Sequence, residues 1–531
     1  MRFPTGRGVV IAAALFISVG WSLFIHREEL ADRHVVDDDV GGYYYVYYGL
    51  ADETALPKDL LMQAVRDTGF GRLGGVWIAP RLVMPIEVRL AARFGLRQTL
   101  LWKSVALGAL VALVAFLAAA AVHGPGPALG LLAVLLPVLS STDALYGGMP
   151  RTFGLLITCL CWLSLVRGSA WGLAACVALS YALYAAMSPL ALAFFAVLLL
   201  SRLDAGRRVA AALACAALCG AGVWALVHFL PDKIEGIRTI FSFKNALRTG
   251  ELTLPETLFL NSNEHSPMYR VFSLLMLACA LAAGWLLRNR RDLLLAWESQ
   301  YLLAMAAAFL ACLPIDVNFA SRQLIHALPL FLCVYPWRAA FSLRRRGDFF
   351  RLAAAVLVMF FALWPKISNL HRVDAGKVAA VASLPKDSLI FAHPERSSEI
   401  SFFSGLAVYS QRDWQHLLCG FRYGDYCDKA SQRAAESLGV FYGSSADRVR
   451  RFAASSGVTH FVVEERYYAD KYFRSNDGNS EFAKASKMES ARAGPGEAAL
   501  LSLAKKLGRR VSPGVWILAS SALNGAPALA R

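Results

Sequence analysis

Three adjacent carboxylates, Asp37, Asp38 and Asp39, open the segment VVDDDVGGYYYVYYGLAD shortly after the first long apolar run of the chain. Side by side they repel one another, so at least one pKa is raised and a cation or basic partner is favoured. That chemistry suits a general base, or a partial ligand set for a divalent ion such as Mg²⁺ or Mn²⁺ built from Asp37, Asp38 and Asp39. The competing reading is a solvated acidic loop beside a tyrosine-rich belt, Tyr43 to Tyr48, at a membrane interface.

Two cations stand where a cation is unexpected. Arg151, in DALYGGMPRTFG (143–154), follows Pro150, which suits the first turn of a helix. A positive charge there opposes the positive end of the helix dipole, so an anion is expected opposite it. Phosphate is one solution, and an ion pair with Asp143 or with the acidic loop is the other. Arg322, in LPIDVNFASRQLIHALP (313–329), repeats the situation, with His326 one turn deeper on the same helix face. Polar groups facing into a membrane bundle are costly and usually functional, although Arg322 could pair with Asp316 and His326 with a backbone carbonyl. Met187, Ser188 and Pro189 read as a turn, and Glu264 and His265 are weaker candidates for lining a groove.

The elements that must position these groups are apolar. Of the 531 residues 57% are hydrophobic and 17% charged, and the mean hydropathy is +0.46, outside the usual range of soluble domains. Runs long enough to be membrane spans occur near 8–25, 102–122, 126–142, 151–167, 169–187, 189–202, 207–230, 269–287, 294–313, 322–340 and 349–365, which predicts about eleven transmembrane helices. No A-x-A-like cleavage site precedes His26, so the first run is expected to stay as a span. The net charge of +16 comes in short clusters between runs, which argues for topology signals and against nucleic acid. With the N-terminus cytoplasmic, the clusters at 201–208, 288–291 and 343–351 fall inside. Loop 26–101, the turn near 143–151 and the tail after Pro365 then fall outside.

From Leu60 to Leu100 the first outer loop is amphipathic, with Arg66, Arg72, Arg81, Arg89, Arg93 and Arg97 among aliphatics, as expected of helices lying on the membrane. The expected division is a multi-pass domain over 1–365, whose loop 26–101 carries the acidic motif, and an extracytoplasmic α/β domain over 366–531. The latter rests on strand-like runs at 388–393, 459–465 and 514–520 between helical stretches at 429–438 and 446–456. Eight of the ten cysteines lie in apolar runs as packing residues; Cys419 and Cys427 lie in the tail, where a local disulfide is one option.

An acidic motif just after the first span, surface helices behind it, many further spans and an α/β tail together resemble the GT-C class of polyprenyl-phosphate-sugar-dependent glycosyltransferases. DDDVGGYYYVY (37–47) is similar to the acidic pair followed by a Tyr-containing helix in that class, and GGMPRTFG (147–154) is similar to a G-x-P-R-[ST] element of bacterial members. LPKDSLIFAHP (384–394) and GVTHFVVEE (457–465) look like pieces of such tails.

The resemblance implies a GT-C-like polytopic fold in a bacterial inner membrane, and transfer of a sugar from a polyprenyl-phosphate donor to a glycan, lipid or protein acceptor on the outer side. It implies Asp39, or Asp38, as the base, with Tyr43 and His326 near the substrate and Arg151 and Arg322 on the donor phosphate. A transporter or flippase for a lipid-linked substrate would use the same arginines without chemistry, but the paired repeats common among transporters are not visible. A polymerase or ligase of surface polysaccharide usually carries its large loop later in the chain.

Overall fold

The computed structural model describes residues 6–37, 44–52, 55–63, 83–140, 151–204, 295–315, 327–342, 370–411, 426–469 and 498–524, with single positions or short pieces at 145, 206–207, 210, 284–285, 287–289, 320, 323–324, 472 and 488–491. Asp38, Asp39, Tyr43, Arg322, His326 and Cys419 lie outside the described residues.

The N-terminal part is helical. Helix α1 (Gly6–Ile25) leads through α2 (Arg27–Ala31) to a three-residue strand, β1 (Val35–Asp37), and then to α3 (Val46–Ala51) and α4 (Met84–Phe94). The long α5 (Leu96–His123) and α6 (Pro125–Ser140) follow, then α7 (Arg151–Val166), α8 (Ala170–Leu183), α9 (Ser188–Ser201), α10 (Ala296–Cys312) and α11 (Ala327–Ser342). Two stretches among the described residues are long and apolar enough to cross a membrane: Gly8–Ile25 within α1, with mean hydropathy 2.3, and α5, with 2.7. The 28 residues of α5 give it a length of roughly 42 Å, more than the ~30 Å hydrocarbon core of a bilayer. Helices α7, α8 and α9 are apolar but shorter. The predicted runs 207–230, 269–287 and 349–365 fall largely outside the described residues, so the expected eleven spans extend beyond what the structure describes.

Many outward side chains of these helices are apolar. Phe16 on α1 is 80% exposed and Trp171 on α8 88%, and Leu110, Leu192 and Leu310 point outward as well. Inside the bundle α1 meets α5 through Gly108, where an added Cβ would stand 2.6 Å from the Ser22 hydroxyl oxygen. That hydroxyl donates to the Val105 carbonyl at 2.7 Å. The Met187 turn is as expected: a short 3-10 segment, Ala185–Met187, runs straight into α9, which has a proline in its first turn.

The C-terminal part begins with β2 (Leu370–Arg372) and α12 (Ala375–Ala382), whose first turn is capped by Asp374 accepting from the Lys377 N–H. A five-stranded sheet of order β4-β3-β5-β7-β6 follows, from β3 (Leu389–Phe391), β4 (Ala407–Val408), β5 (His460–Glu464), β6 (Arg509–Ser512) and β7 (Val515–Ala519). β3 pairs parallel with β4 and β5, and β7 pairs antiparallel with β5 and β6. Helices α13 (Ser397–Ser404), α14 (Tyr426–Tyr442), α15 (Ala446–Ser455) and α16 (Ala499–Leu507) pack with it. β3 is buried at every position, and so are the last four residues of β5, hence the near-continuous apolar runs of the sequence.

Two hydrophobic cores organise the described residues. One is formed by the N-terminal helices alone. The other joins Val36, Tyr44 to Tyr47, Leu56, Leu60 to Met62, Leu96 and Leu100 to the interior of the α/β part, so the segment between α1 and α5 and the C-terminal part share one interior.

Candidate active site

β1 is a poor strand by itself, since three residues cannot hold an extended shape in water. It is held from two sides. Its strand partner is β2, antiparallel, with Val35 opposite Arg372, Val36 opposite His371 and Asp37 opposite Leu370. On the other side the Arg97 guanidinium donates to the carbonyls of Glu29, Asp32 (2.9 Å) and Val35 (3.4 Å). Arg97 was expected at the membrane surface with its neighbours. Arg89 and Arg93 on α4 are indeed exposed, beside Ile86, Leu90 and Phe94, but Arg97 turns inward, because the end of α2 leaves carbonyls that need donors.

The strand delivers Asp37, 1% exposed, to Arg151 at the start of α7. The Arg151 Nη2 to Asp37 Oδ1 distance is 3.9 Å, with the Arg151 side chain 13% exposed. At that separation the charges attract strongly in a low-dielectric setting, yet they are too far apart for a direct hydrogen bond. Of the two expected partners for Arg151, the acidic loop is the one seen; Asp143 lies outside the described residues. Gly154 explains how α7 comes to stand there: a Cβ at this position would lie 2.9 Å from the Tyr184 ring and 3.1 Å from Met187. Without a side chain at 154, α7 packs closely on that turn, one helical turn below Arg151. From the other side Gln323, buried, donates to the Ala186 carbonyl at 2.8 Å. Gln323 is therefore fixed to the same turn that supports α7.

The tyrosines after the acidic motif are not an interfacial belt. Tyr44, Tyr45 and Tyr47 are fully buried, each against a different element. The Tyr47 hydroxyl donates to Glu87 Oε2 at 2.5 Å, and Tyr45 donates to Asp59 Oδ1 at 3.1 Å while accepting from Gln411 at 2.8 Å. Tyr48, partly buried, donates to the Phe402 carbonyl at 2.9 Å. Burial, joined by the charge of Glu87, pushes the Tyr44 and Tyr47 hydroxyls well above the usual phenol range, so both stay neutral.

A second buried ion pair completes the cluster. Lys103 Nζ on α5 stands 2.7 Å from Glu87 Oε1 on α4. The ammonium also lies 5.4 Å from the centre of the Tyr44 ring and 5.5 Å from that of Phe153, two residues after Arg151. Lys103 and Glu87 were not anticipated from the sequence, although a lone lysine at the start of an apolar run is itself a signal.

Of the three carboxylates expected to hold a metal, Asp38 and Asp39 lie outside the described residues. Among the described residues no group of three or more His, Cys, Asp or Glu could hold a metal ion, and Asp37 faces a guanidinium. What the described groups can do is hold an anion beside Arg151 and orient a neighbouring carboxylate.

Comparison with protein-family models and with curated protein sequences gives no match. Among solved structures the chain is similar to the oligosaccharyltransferase of Archaeoglobus fulgidus, crystallised with a tethered acceptor peptide containing the NVT sequon, at a TM-score of 0.53 and 11% identity. The match covers 91% of this chain and 72% of that one. At this identity it is the fold that is shared, and it supports a GT-C-like architecture for this chain.

Proposed function

We propose that this protein is a membrane glycosyltransferase that moves a sugar from a polyprenyl-phosphate donor to a glycan, lipid or protein acceptor on the outer face of a bacterial inner membrane. The observation that carries the reading is the meeting of β1 and α7, which sets Asp37, the first acid of the motif, beside a largely buried arginine at a helix N-terminus. The fold shared with an oligosaccharyltransferase supports it, as do two span-length apolar helices and outward faces that suit lipid.

Asp39, or Asp38, takes the proton from the acceptor nucleophile as its lone pair attacks the anomeric carbon. The bond from that carbon to the phosphate oxygen breaks, and the electron pair leaves on the phosphate. Arg151, joined by Arg322, holds the added negative charge, so the leaving group needs no acid. Asp37 faces Arg151 and sets its direction. Tyr43 and His326 line the substrate. In this arrangement the N-terminus is cytoplasmic and loop 26–101 and the C-terminal domain are extracytoplasmic.

The test is transfer from a panel of radiolabelled polyprenyl-phosphate sugars by the purified protein and by Asp39→Asn and Asp38→Asn. One of the two variants should lose acceptor labelling by at least 100-fold, in line with general-base catalysis worth roughly 10²–10⁴. Equal labelling by all three proteins removes both aspartates as the base. Movement of unreacted donor across the bilayer, with no transfer, would favour a flippase.

A further inference from the structure

The position of Asp37 depends on residues far from it in the chain. Beyond its pairing with β1, β2 is tied into the C-terminal domain by a line of ionisable side chains whose middle members are buried. His371, directly opposite Val36, holds Glu399 Oε1 at 2.7 Å. The other oxygen of Glu399 receives Lys377 at 3.3 Å, and Lys377 reaches Glu464 Oε1 at 2.8 Å. Glu464 lies at the end of β5, in the middle of the five-stranded sheet, and its second oxygen takes Arg466 at 2.9 Å. Glu399, Lys377 and Glu464 are all buried.

Such a line is weak evidence for stability, because burying the charges costs about as much as pairing them returns; fixing a register is the use best attested for it. Register is what matters at β1. A slip of one residue against β2 would turn every side chain of the strand to its other face and carry Asp37 away from Arg151. The surface bridge from Arg372 to Asp32, 2.8 Å long with the arginine 74% exposed, is too solvated to prevent that alone.

We infer that the C-terminal domain is part of the reaction centre: through β2, His371 and Glu399 act as positioning residues that hold β1 in register and thereby place Asp37 against Arg151. This rests on the glycosyl-transfer reading, which supplies the activity to be measured.

The experiment uses the full-length protein in nanodiscs, with Glu399→Gln and His371→Gln. Transfer kinetics should show kcat reduced tenfold or more while KM for the donor changes less than threefold. Hydrogen exchange should rise in the peptide covering 33–37 while peptides from β5 and β7 stay protected. In the Glu399→Gln background, Val35→Cys with Arg372→Cys, at directly opposed positions, should restore most of kcat when oxidised and lose it again on reduction. If Glu399→Gln does not fold, His371→Gln carries the same measurements, its histidine being partly exposed already.

Full kcat in the variants, unchanged exchange at 33–37, or no rescue by the cross-link would each overturn the inference. A wild type that transfers from no donor would instead sink the glycosyl-transfer reading, and the exchange and its reversal by the cross-link would still decide whether the domain holds β1.

Discussion

Glu87 and Lys103 sit 2.7 Å apart, with side chains 4% and 10% exposed, and removing either leaves a charge buried without its partner. Such a loss costs about 3–5 kcal/mol, whereas removing both together is often close to neutral. Lys103→Met should therefore lower the melting temperature in detergent markedly, and the double variant with Glu87→Gln should recover at least half of that loss. A single variant as stable as wild type would show that the pair is solvated. Asp59 provides a different case, a fully buried carboxyl held by the Tyr45 hydroxyl and by the Met62 N–H at 3.0 Å. Burial raises its pKa from 3.8 to about 7, against the lowering effect of these hydrogen bonds and of Arg433. The folded state thus keeps a proton that the unfolded state loses near pH 4. Stability conferred by that proton is complete below pH 4, declines as pH rises towards 7, and is absent above. At about 1.4 kcal/mol per pKa unit the decline amounts to roughly 4 kcal/mol. Wild-type melting temperature should fall between pH 4 and 7, and Asp59→Asn should flatten that slope; an unchanged slope would place the titrating group elsewhere.

At the scale of elements, the sequence discloses whatever depends on local pattern. The strands at Leu389–Phe391, His460–Glu464 and Val515–Ala519 announce themselves as β-branched or apolar runs between polar helices. Arg151 is legible because a cation at a helix start requires an explanation. β1 is not, because three residues of VVD carry no periodicity and their strand partner lies more than 300 positions away, in a segment with no strand signal of its own. The tyrosines mislead for a related reason: an aromatic run near a membrane suggests an interface, and only the fold supplies Asp59, Glu87 and Phe402 as partners for the hydroxyls. α7 offers the test at this scale. Gly154→Leu would force the Tyr184 turn away from the helix that begins at Arg151. It should reduce transfer at least tenfold while the C-terminal domain keeps its protection in hydrogen exchange. Normal transfer by this variant would mean that the α7 packing does not position Arg151.

For the whole molecule, the interior shared by the α1–α5 connection and the α/β part is the organising fact. It binds together chain segments that composition alone would assign to two independent units, and it brings both strands of the β1–β2 pair to the site. The division at residue 365 remains a convenient boundary in the sequence, but the hydrophobic core crosses it. Under the proposed function, Arg151 meets the donor phosphate. The most direct measurement is the affinity of a short-chain prenyl-phosphate sugar for the nanodisc-embedded wild type and for Arg151→Ala. Truncating one partner of a buried, hydrogen-bonded charge pair costs about 2–5 kcal/mol, so binding should weaken roughly thirty-fold or more. Equal affinity in the two proteins would contradict the account.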